Sequence, residues 1–174
     1  MEAAQNRARE VRLMIFDVDG VMTDGRLYYT DAGAELKAFS AQDGHGIKML
    51  ISTGIDTAIL TGRRSGVVEH RARNLGIRHV LQGIEDKRAA FLDLINTLGL
   101  DAAACGYMGD DVVDLPVMTR CGFSATTREA PDIVRQRAHF VATLPAGVGA
   151  VREVCELLMR TQGTLDTALA PYLE

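Results

Sequence analysis

The stretch IFDVDGVMTD, residues 15–24, ends a run of apolar residues with two aspartates that are one residue apart. A carboxylate at the end of a buried strand is costly unless a cation or a hydrogen-bond donor pairs with it. Residues i and i+2 of an extended segment point to the same side, so Asp17 and Asp19 could act on one ligand. The pattern therefore predicts a strand over 11–18 that delivers two carboxylates to a site.

Composition narrows the classes of protein that the sequence fits. The 174 residues carry a net charge of -4, and no cluster of Lys and Arg exceeds three residues, so we expect no nucleic-acid partner. No apolar run approaches the ~18 residues of a membrane span, and the polar start MEAAQNRARE has no apolar core of a signal peptide, so we expect no membrane partner. The three cysteines are odd in number and form no CxxC pair, which favours a cytoplasmic protein.

Strand-like and helix-like segments alternate along the chain and indicate one domain over residues 1–174. This alternation is typical of an α/β fold with a mainly parallel central sheet. The tail over 161–174 has weak periodicity, and we expect it to be irregular. We predict strands at 11–18, 57–60, 79–81, 105–108, 122–125 and 140–141, and helices around 47–51 and at 65–75, 86–98, 115–120 and 149–160, with a further helix after Pro131.

One insert breaks the alternation. The segment GRLYYTDAGAELKAFS, residues 25–40, carries apolar residues on both sides of the turn-like stretch DAGAE and predicts a protruding β-hairpin. A lone hairpin is marginal in water, and this one carries too much apolar surface to leave exposed. We therefore expect it to pack against equivalent hairpins of other subunits.

Polar groups follow the predicted strands at the edge where ligands bind in a parallel sheet. Thr61-Gly62-Arg63 follows one strand, Lys87 opens the helix after the next, and Gly109-Asp110-Asp111 follows another. Together with Asp17 they supply three or more carboxylates, one hydroxyl and one ammonium. Oxygen ligands of this kind suit Mg²⁺ with a phosphate group as co-ligand. A carboxylate can attack phosphorus, so the set indicates phosphoryl transfer.

The segments DVDGV, ILTGR, the lone Lys87 and GDDVVD, in that order, resemble the four motifs of the haloacid dehalogenase superfamily. FDVDGVMTDG, FSAQDGHGIKML, ILTGRRS, GDDVVDLPVM and GAVREVCELL are similar to the family of 3-deoxy-D-manno-octulosonate 8-phosphate phosphatases, over nearly the whole chain. The resemblance implies a Rossmann-like three-layer sandwich without a cap domain. It also implies Mg²⁺ as cofactor, a homotetramer, and a role in lipopolysaccharide biosynthesis.

The resemblance also implies roles for individual residues. Asp17 would be the nucleophile and a magnesium ligand, and Asp19 the acid/base, with its backbone carbonyl on the metal. Asp110 would be the third protein ligand, supported by Asp111 and Asp114, while Thr61 and Lys87 would hold the phosphate. The family's substrate-binding positions fall on Asp19, Ser40, Ala41, Gln42, Asp43, Gly44, Lys48, Arg63, Arg71 and Lys87. His45, near this stretch, fits a substrate contact or a helix start about equally well.

Three alternatives accompany this interpretation. A phospho-receiver signalling domain also combines acidic residues, Mg²⁺, a hydroxyl and a lysine, but there the phosphorylated aspartate lies on a middle strand, after the acidic pair. Here the DxD strand comes first and a second acidic cluster follows Lys87, an order that contradicts a receiver. An inactive binding subunit would have lost catalytic positions, and none is replaced. A phosphatase for a nine-carbon 2-keto-3-deoxy acid 9-phosphate is closer, although Arg63 is the residue expected of the eight-carbon family.

Overall fold

The computed structural model describes residues 2–173, in which strands and helices alternate as the sequence predicts. The strands are β1 (Leu13–Phe16), β2 (Tyr28–Tyr29), β3 (Glu35–Leu36), β4 (Asp56–Thr61), β5 (His79–Gln82), β6 (Cys105–Met108), β7 (Phe123–Thr126) and β8 (Phe140–Val141). The helices are α1 (Glu2–Ala8), α2 (Ala41–Ser52), α3 (Gly66–Leu75), α4 (Lys87–Leu98), α5 (Leu115–Met118), α6 (Asp132–Arg135), α7 (Ala150–Thr161) and α8 (Leu165–Leu169).

Six of the strands form one sheet in the order β5-β4-β1-β6-β7-β8, and every pairing in it is parallel. β1 lies near the centre, with Ile15 opposite Ala58 of β4 on one side and opposite Tyr107 of β6 on the other. The chain order therefore reverses at β1, and such a switch point is where ligands bind in open parallel sheets. The carboxylates that follow β1 thus reach a binding crevice.

Both faces of the sheet are covered, which confirms the predicted three-layer α/β sandwich. Met14 and Phe16 pack in a cluster with residues of α2, α3 and α7, while Leu13 and Ile15 pack with residues of α4 and α5 on the opposite face. A strand buried on both faces has to be apolar at every position. This explains why the sequence before Asp17 shows a continuous apolar run rather than an alternation.

The predicted hairpin is present as a separate two-stranded sheet. β2 and β3 pair antiparallel, with Tyr28 opposite Leu36 and Tyr29 opposite Glu35. The apolar side chains on these short strands are exposed in the single chain, and Leu36 is 55% exposed.

The prediction of an irregular tail is wrong. α7 continues to Thr161, and α8 and a 3₁₀ turn at Ala170–Tyr172 follow it. Leu165, Ala168 and Leu169 pack against the core cluster that contains α2 and α7. Tertiary packing thus stabilises a helix too short and too weakly periodic to be recognised in the sequence. The helix at Glu2–Ala8 was likewise not predicted from the sequence.

Strand β1 is shorter than the predicted strand over 11–18. The chain leaves the sheet at Asp17, whose Oδ1 accepts the backbone N–H of Val18 at 2.7 Å, and a tight loop follows to Met22.

Among the described residues, no helix combines the length and apolarity needed to cross a bilayer.

Candidate active site

A cavity of about 620 Å³ opens at the carboxyl ends of β1, β4 and β6. Its volume is within the usual range for a small-molecule site. The side chains predicted to carry the chemistry converge there from four separate segments of the chain. The lining includes Asp17, Asp19, Thr61, Arg63, Lys87, Asp110 and Asp111.

Lys87 is a buried cation beside Asp17. As the first residue of α4, it places Nζ 2.8 Å from Asp17 Oδ2 and 2.6 Å from Asp114 Oδ1. Burial lowers the pKa of Lys87, but the charges of Asp17 and Asp114 outweigh burial, so the pKa is raised and the ammonium is retained. A lysine that starts a helix would ordinarily be a surface residue, and this one is held inside by two carboxylates.

Asp114 organises the loop that follows β6. Its Oδ1 accepts hydrogen bonds from Lys87 and from the Tyr107 hydroxyl, both at 2.6 Å. Its Oδ2 accepts the backbone N–H groups of Asp110 at 3.0 Å and Asp111 at 3.1 Å. Both oxygens are therefore committed to donors, which favours a supporting role for Asp114 rather than direct binding of a ligand.

Gly20 provides the space that the Asp110 carboxylate occupies. A Cβ at this position would lie 2.0 Å from Asp110 Oδ2, and the backbone φ of +86° is in the region that favours glycine. The glycine after the DxD pair is thus required twice, by the turn and by the close approach of the second acidic segment.

The positive charge of Lys87 does not offset the burial and mutual repulsion of the carboxylates in the site. Burial, and next the charge of Asp114, raises the pKa of Asp17 to about 6, although Lys87 opposes this. Burial, followed by the charges of Asp114 and Asp17, raises the pKa of Asp110 to about 8. Like charges brought together at a buried site disfavour one another. A bound cation would relieve this repulsion.

The donor set fits Mg²⁺. Asp17, Asp110 and Asp114 each place an oxygen within 4.8 Å of the others. Carboxylate oxygens without nitrogen or sulfur ligands suit a hard divalent cation. Since both oxygens of Asp114 already accept hydrogen bonds, Asp17 and Asp110 are the side chains best placed to bind the metal.

Asp19 faces the same cavity but has different neighbours. Its Oδ1 contacts the ammonium of Lys37, and its Oδ2 lies 3.8 Å from Arg63 Nε. Within the described part of the chain, Asp19 Oδ2 is buried and accepts no hydrogen bond. Lys37 was not predicted from the sequence. Glu35 and Lys37 are two apart in an extended segment and share a face, but this pattern does not indicate that the lysine meets Asp19.

The remaining predicted substrate residues lie outside this cavity in the single chain. Ser40 caps α2, where Ala41, Gln42 and Lys48 are exposed. Arg71 donates to the Ser40 carbonyl at 2.9 Å and packs over the Phe39 ring, and its guanidinium fills the space beside Gly44. His45 and Lys48 line a different pocket, beside α8.

Asp43 joins two helices. Its carboxylate accepts the backbone N–H groups of Gly149 at 3.2 Å and Arg152 at 2.8 Å, at the start of α7. Burial raises the pKa of Asp43, while these hydrogen bonds oppose the rise. The geometry therefore favours a structural role for its side chain.

No protein-family model matches the sequence. The chain is 46% identical over 162 residues to the 3-deoxy-D-manno-octulosonate 8-phosphate phosphatase KdsC of Yersinia pestis, covering 93% of this chain and 87% of that protein. A Moraxella catarrhalis phosphatase of the same name, solved with magnesium, phosphate and KDO, is 39% identical with a TM-score of 0.97, covering 99% of both chains. A hydrolase of the HAD superfamily, subfamily III A, from Legionella pneumophila is 39% identical with a TM-score of 0.95, covering 99% of this chain and 95% of that one.

The parallel sheet, whose central strand leads into the DxD pair, and the four motif segments meeting at one cavity define a member of the haloacid dehalogenase superfamily. The extent and identity of the match to the curated phosphatase narrow this further. The chain belongs to the family of 3-deoxy-D-manno-octulosonate 8-phosphate phosphatases.

Proposed function

We propose that this protein is a Mg²⁺-dependent phosphatase that hydrolyses 3-deoxy-D-manno-octulosonate 8-phosphate to the free sugar acid and phosphate, in lipopolysaccharide biosynthesis. The observation that carries the proposal is the convergence of Asp17, Asp19, Lys87 and Asp110 on one cavity at the switch point of the sheet. The likeness to the Yersinia pestis phosphatase and to the structure with magnesium, phosphate and KDO supports the choice of substrate.

The reaction proceeds in two displacements. A carboxylate oxygen of Asp17 attacks phosphorus and forms an aspartyl phosphate, the ester bond breaks, and Asp19 gives its proton to the leaving sugar oxygen. Water then attacks phosphorus and gives a proton to Asp19, the bond from Asp17 to phosphorus breaks, and inorganic phosphate leaves. The order of events restores both aspartates to their starting states.

The other groups of the site position and neutralise the phosphate. Lys87 is held beside Asp17, and Thr61 lines the cavity at the end of β4, which supports a role for both in binding non-bridging phosphate oxygens. Mg²⁺, when bound by Asp17, Asp110 and the Asp19 backbone carbonyl, would offset the charge of the phosphate and of the surrounding carboxylates. Positioning and charge neutralisation are the main requirements of phosphoryl transfer.

A substrate screen tests this function. We expect the protein with Mg²⁺ to release phosphate from the eight-carbon sugar acid phosphate with a higher kcat/KM than from the nine-carbon acid 9-phosphate, and Asp17→Asn to be inactive on both. A preference for the nine-carbon substrate would replace the proposed substrate with its closest rival. A stable aspartyl phosphate without turnover would instead indicate a receiver-like signalling role.

We further propose a homotetramer in which neighbouring chains complete the sugar site. The predicted substrate residues Ser40–Gly44, Lys48 and Arg71 lie outside the cavity of their own chain. The hairpin next to that cavity exposes Leu36 and Tyr29, which a second copy would bury. An active site open to water discriminates poorly, so an adjacent subunit would also act as the lid.

The assembly has a separate test. Leu36→Glu places a charge on the hairpin, and light scattering should show smaller particles with reduced activity on the sugar phosphate. Leu92→Glu, which alters an exposed leucine of α4, is the matched control and should leave the particle size unchanged. A Leu36→Glu protein that remains tetrameric would show that other surfaces make the contacts.

The buried free thiols of Cys105, Cys121 and Cys155 support a cytoplasmic location.

A further inference from the structure

The hairpin carries a lysine whose side chain is buried although its neighbour in the chain is not. The side chain of Lys37 is 2% exposed, whereas Leu36 is 55% exposed. Burying an ammonium is unfavourable unless anionic partners surround it. Lys37 has two such partners, since its Nζ contacts Asp19 Oδ1 and lies 3.2 Å from Glu35 Oε1.

These residues belong to a closed ring of four charges. Arg63 Nη2 lies 3.0 Å from Glu35 Oε1, and Arg63 Nε lies 3.8 Å from Asp19 Oδ2. Each carboxylate therefore stands between two cations, and the ring joins the hairpin, the loop after β1 and the loop after β4. Both cations of the ring approach the proposed acid/base, and Lys37 is the one that donates a hydrogen bond to it.

The ring leaves the two oxygens of Asp19 in different environments. Oδ1 is held by Lys37, while Oδ2 is buried and accepts no hydrogen bond from residues 2–173. A carboxylate anchored at one oxygen has a fixed plane, so the carboxyl group keeps one orientation at the cavity that Asp19 lines. Accurate orientation of an acid/base is a requirement of efficient proton transfer.

We propose that Lys37 is a positioning residue, which anchors Asp19 through Oδ1 and so fixes the orientation in which this carboxyl group exchanges a proton with the leaving oxygen. The proposal rests on the proposed function, because it assumes the acid/base role of Asp19. Lys37 is absent from the described lining of the cavity, where Lys87 is the lysine present. Its effect is therefore on Asp19 and not on the phosphate.

Leaving-group dependence separates this role from a merely structural one. Phenyl phosphate and 4-nitrophenyl phosphate have nearly the same shape, but phenolate is the more basic leaving group and depends more on protonation. kcat/KM covers the steps up to departure of this group, and the later hydrolysis of the aspartyl phosphate is common to both esters. We expect Lys37→Met to lower kcat/KM for phenyl phosphate by at least about tenfold more than for 4-nitrophenyl phosphate, since a positioned acid contributes about 10²–10⁴ in rate.

Two further variants complete the experiment. Lys37→Arg keeps a cation beside Asp19 and should restore most of the difference between the two esters. Arg26→Met removes a hairpin cation that is 78% exposed, and it should leave the ratio unchanged. Equal losses on both esters, or no loss on either, would overturn the positioning role. Because both esters lack a sugar, failure of the sugar-phosphate assignment appears separately in the substrate screen.

Discussion

The Asp114 carboxylate accepts the backbone N–H of Asp110 at 3.0 Å, so a fully buried side chain fixes the loop that carries the proposed metal ligand. The same carboxylate also receives Lys87, which joins the cation of the site to the loop. Positions 110 and 114 of the motif therefore have different tasks, one facing the cavity and the other supporting it.

Asp114→Asn tests this support. An amide can present one oxygen but must direct its N–H₂ group at existing donors, and Lys87 would lose a charged partner inside the protein. We expect the free energy of unfolding to fall by about 3 kcal/mol, measured by urea denaturation. Asp111→Asn is the control, because Asn serves as well as Asp at a helix N-cap, and it should change stability by less than about 1 kcal/mol. Equal stability of the two variants would contradict the supporting role.

Removal of the metal should abolish turnover. We expect EDTA to stop phosphate release, added Mg²⁺ to restore it, and Asp110→Ala to lower kcat/KM at least about a hundredfold, since a bound metal supplies several kcal/mol of charge stabilisation. Asp93→Ala removes an exposed carboxylate of α4 and should retain full activity. Full turnover in metal-free buffer would exclude the mechanism.

Substitutions of the two aspartates in the DxD pair should impair different steps of the reaction. Asp17→Asn should form no aspartyl phosphate at all, because a neutral amide replaces the attacking carboxylate. Asp19→Asn should lose about 10²–10⁴ in rate while it still binds Mg²⁺ and phosphate, because only the proton-handling group is removed and its backbone carbonyl stays. Rapid-quench trapping of the phosphoenzyme and calorimetric binding of phosphate distinguish the two. Near-normal turnover by Asp17→Asn would mean that the nucleophile is misassigned.

Gly20→Ala should damage the site through contact as well as through backbone strain. The new Cβ would lie 2.0 Å from Asp110 Oδ2, so the metal ligand has to move and the apparent affinity for Mg²⁺ should fall. Gly33→Ala is the matched control, with a φ of +79° and no neighbouring atom within 4 Å of the new Cβ. It should cost about 1 kcal/mol of stability without changing the Mg²⁺ dependence of activity. The same Mg²⁺ dependence in both variants would contradict the contact.

Arg63 should affect the choice of substrate. Its guanidinium lies at the rim of the cavity, 42% exposed, and can hold a carboxylate with two hydrogen bonds, which a lysine cannot copy. Arg63→Ala and Arg63→Lys should each lower kcat/KM on the sugar acid phosphate roughly 10- to 100-fold more than on 4-nitrophenyl phosphate. Arg64→Ala, at the adjacent arginine, is the control. A uniform loss on both substrates would place Arg63 at the phosphate or in the structure instead.

Much of the fold was predictable because its signals are local. The apolar run before Asp17 and the glycines after α3 and α4 depend only on neighbouring residues. They predicted β1 and the ends of these two helices to within a few positions. The α8 segment was not predictable, since its stability comes from packing of Leu165 and Leu169 against the core.

The candidate site was predictable where a motif lies at the carboxyl end of a strand. Asp17 follows β1, Thr61 ends β4 and Asp110 lies two residues after β6, and parallel strands bring them to one edge. The support around them was not, because Lys37 reaches Asp19 across 18 positions and Asp43 reaches Arg152 across 109. Such pairings depend on how the hairpin and α7 pack, which no local pattern records.

The central position of β1 also determines when the site can form during synthesis. Its partners are β4 at residues 56–61 and β6 at residues 105–108, so a strand near the start of the chain lacks one neighbour until residue 108 has emerged from the ribosome. Pairings between such distant segments form slowly, and an unpaired apolar edge is prone to aggregation in the meantime. A nascent chain that ends before β6 therefore exposes its most apolar strand and has no Asp110 or Asp114 to complete the cluster. Enzymatic competence and protection of that edge arise in the same late event.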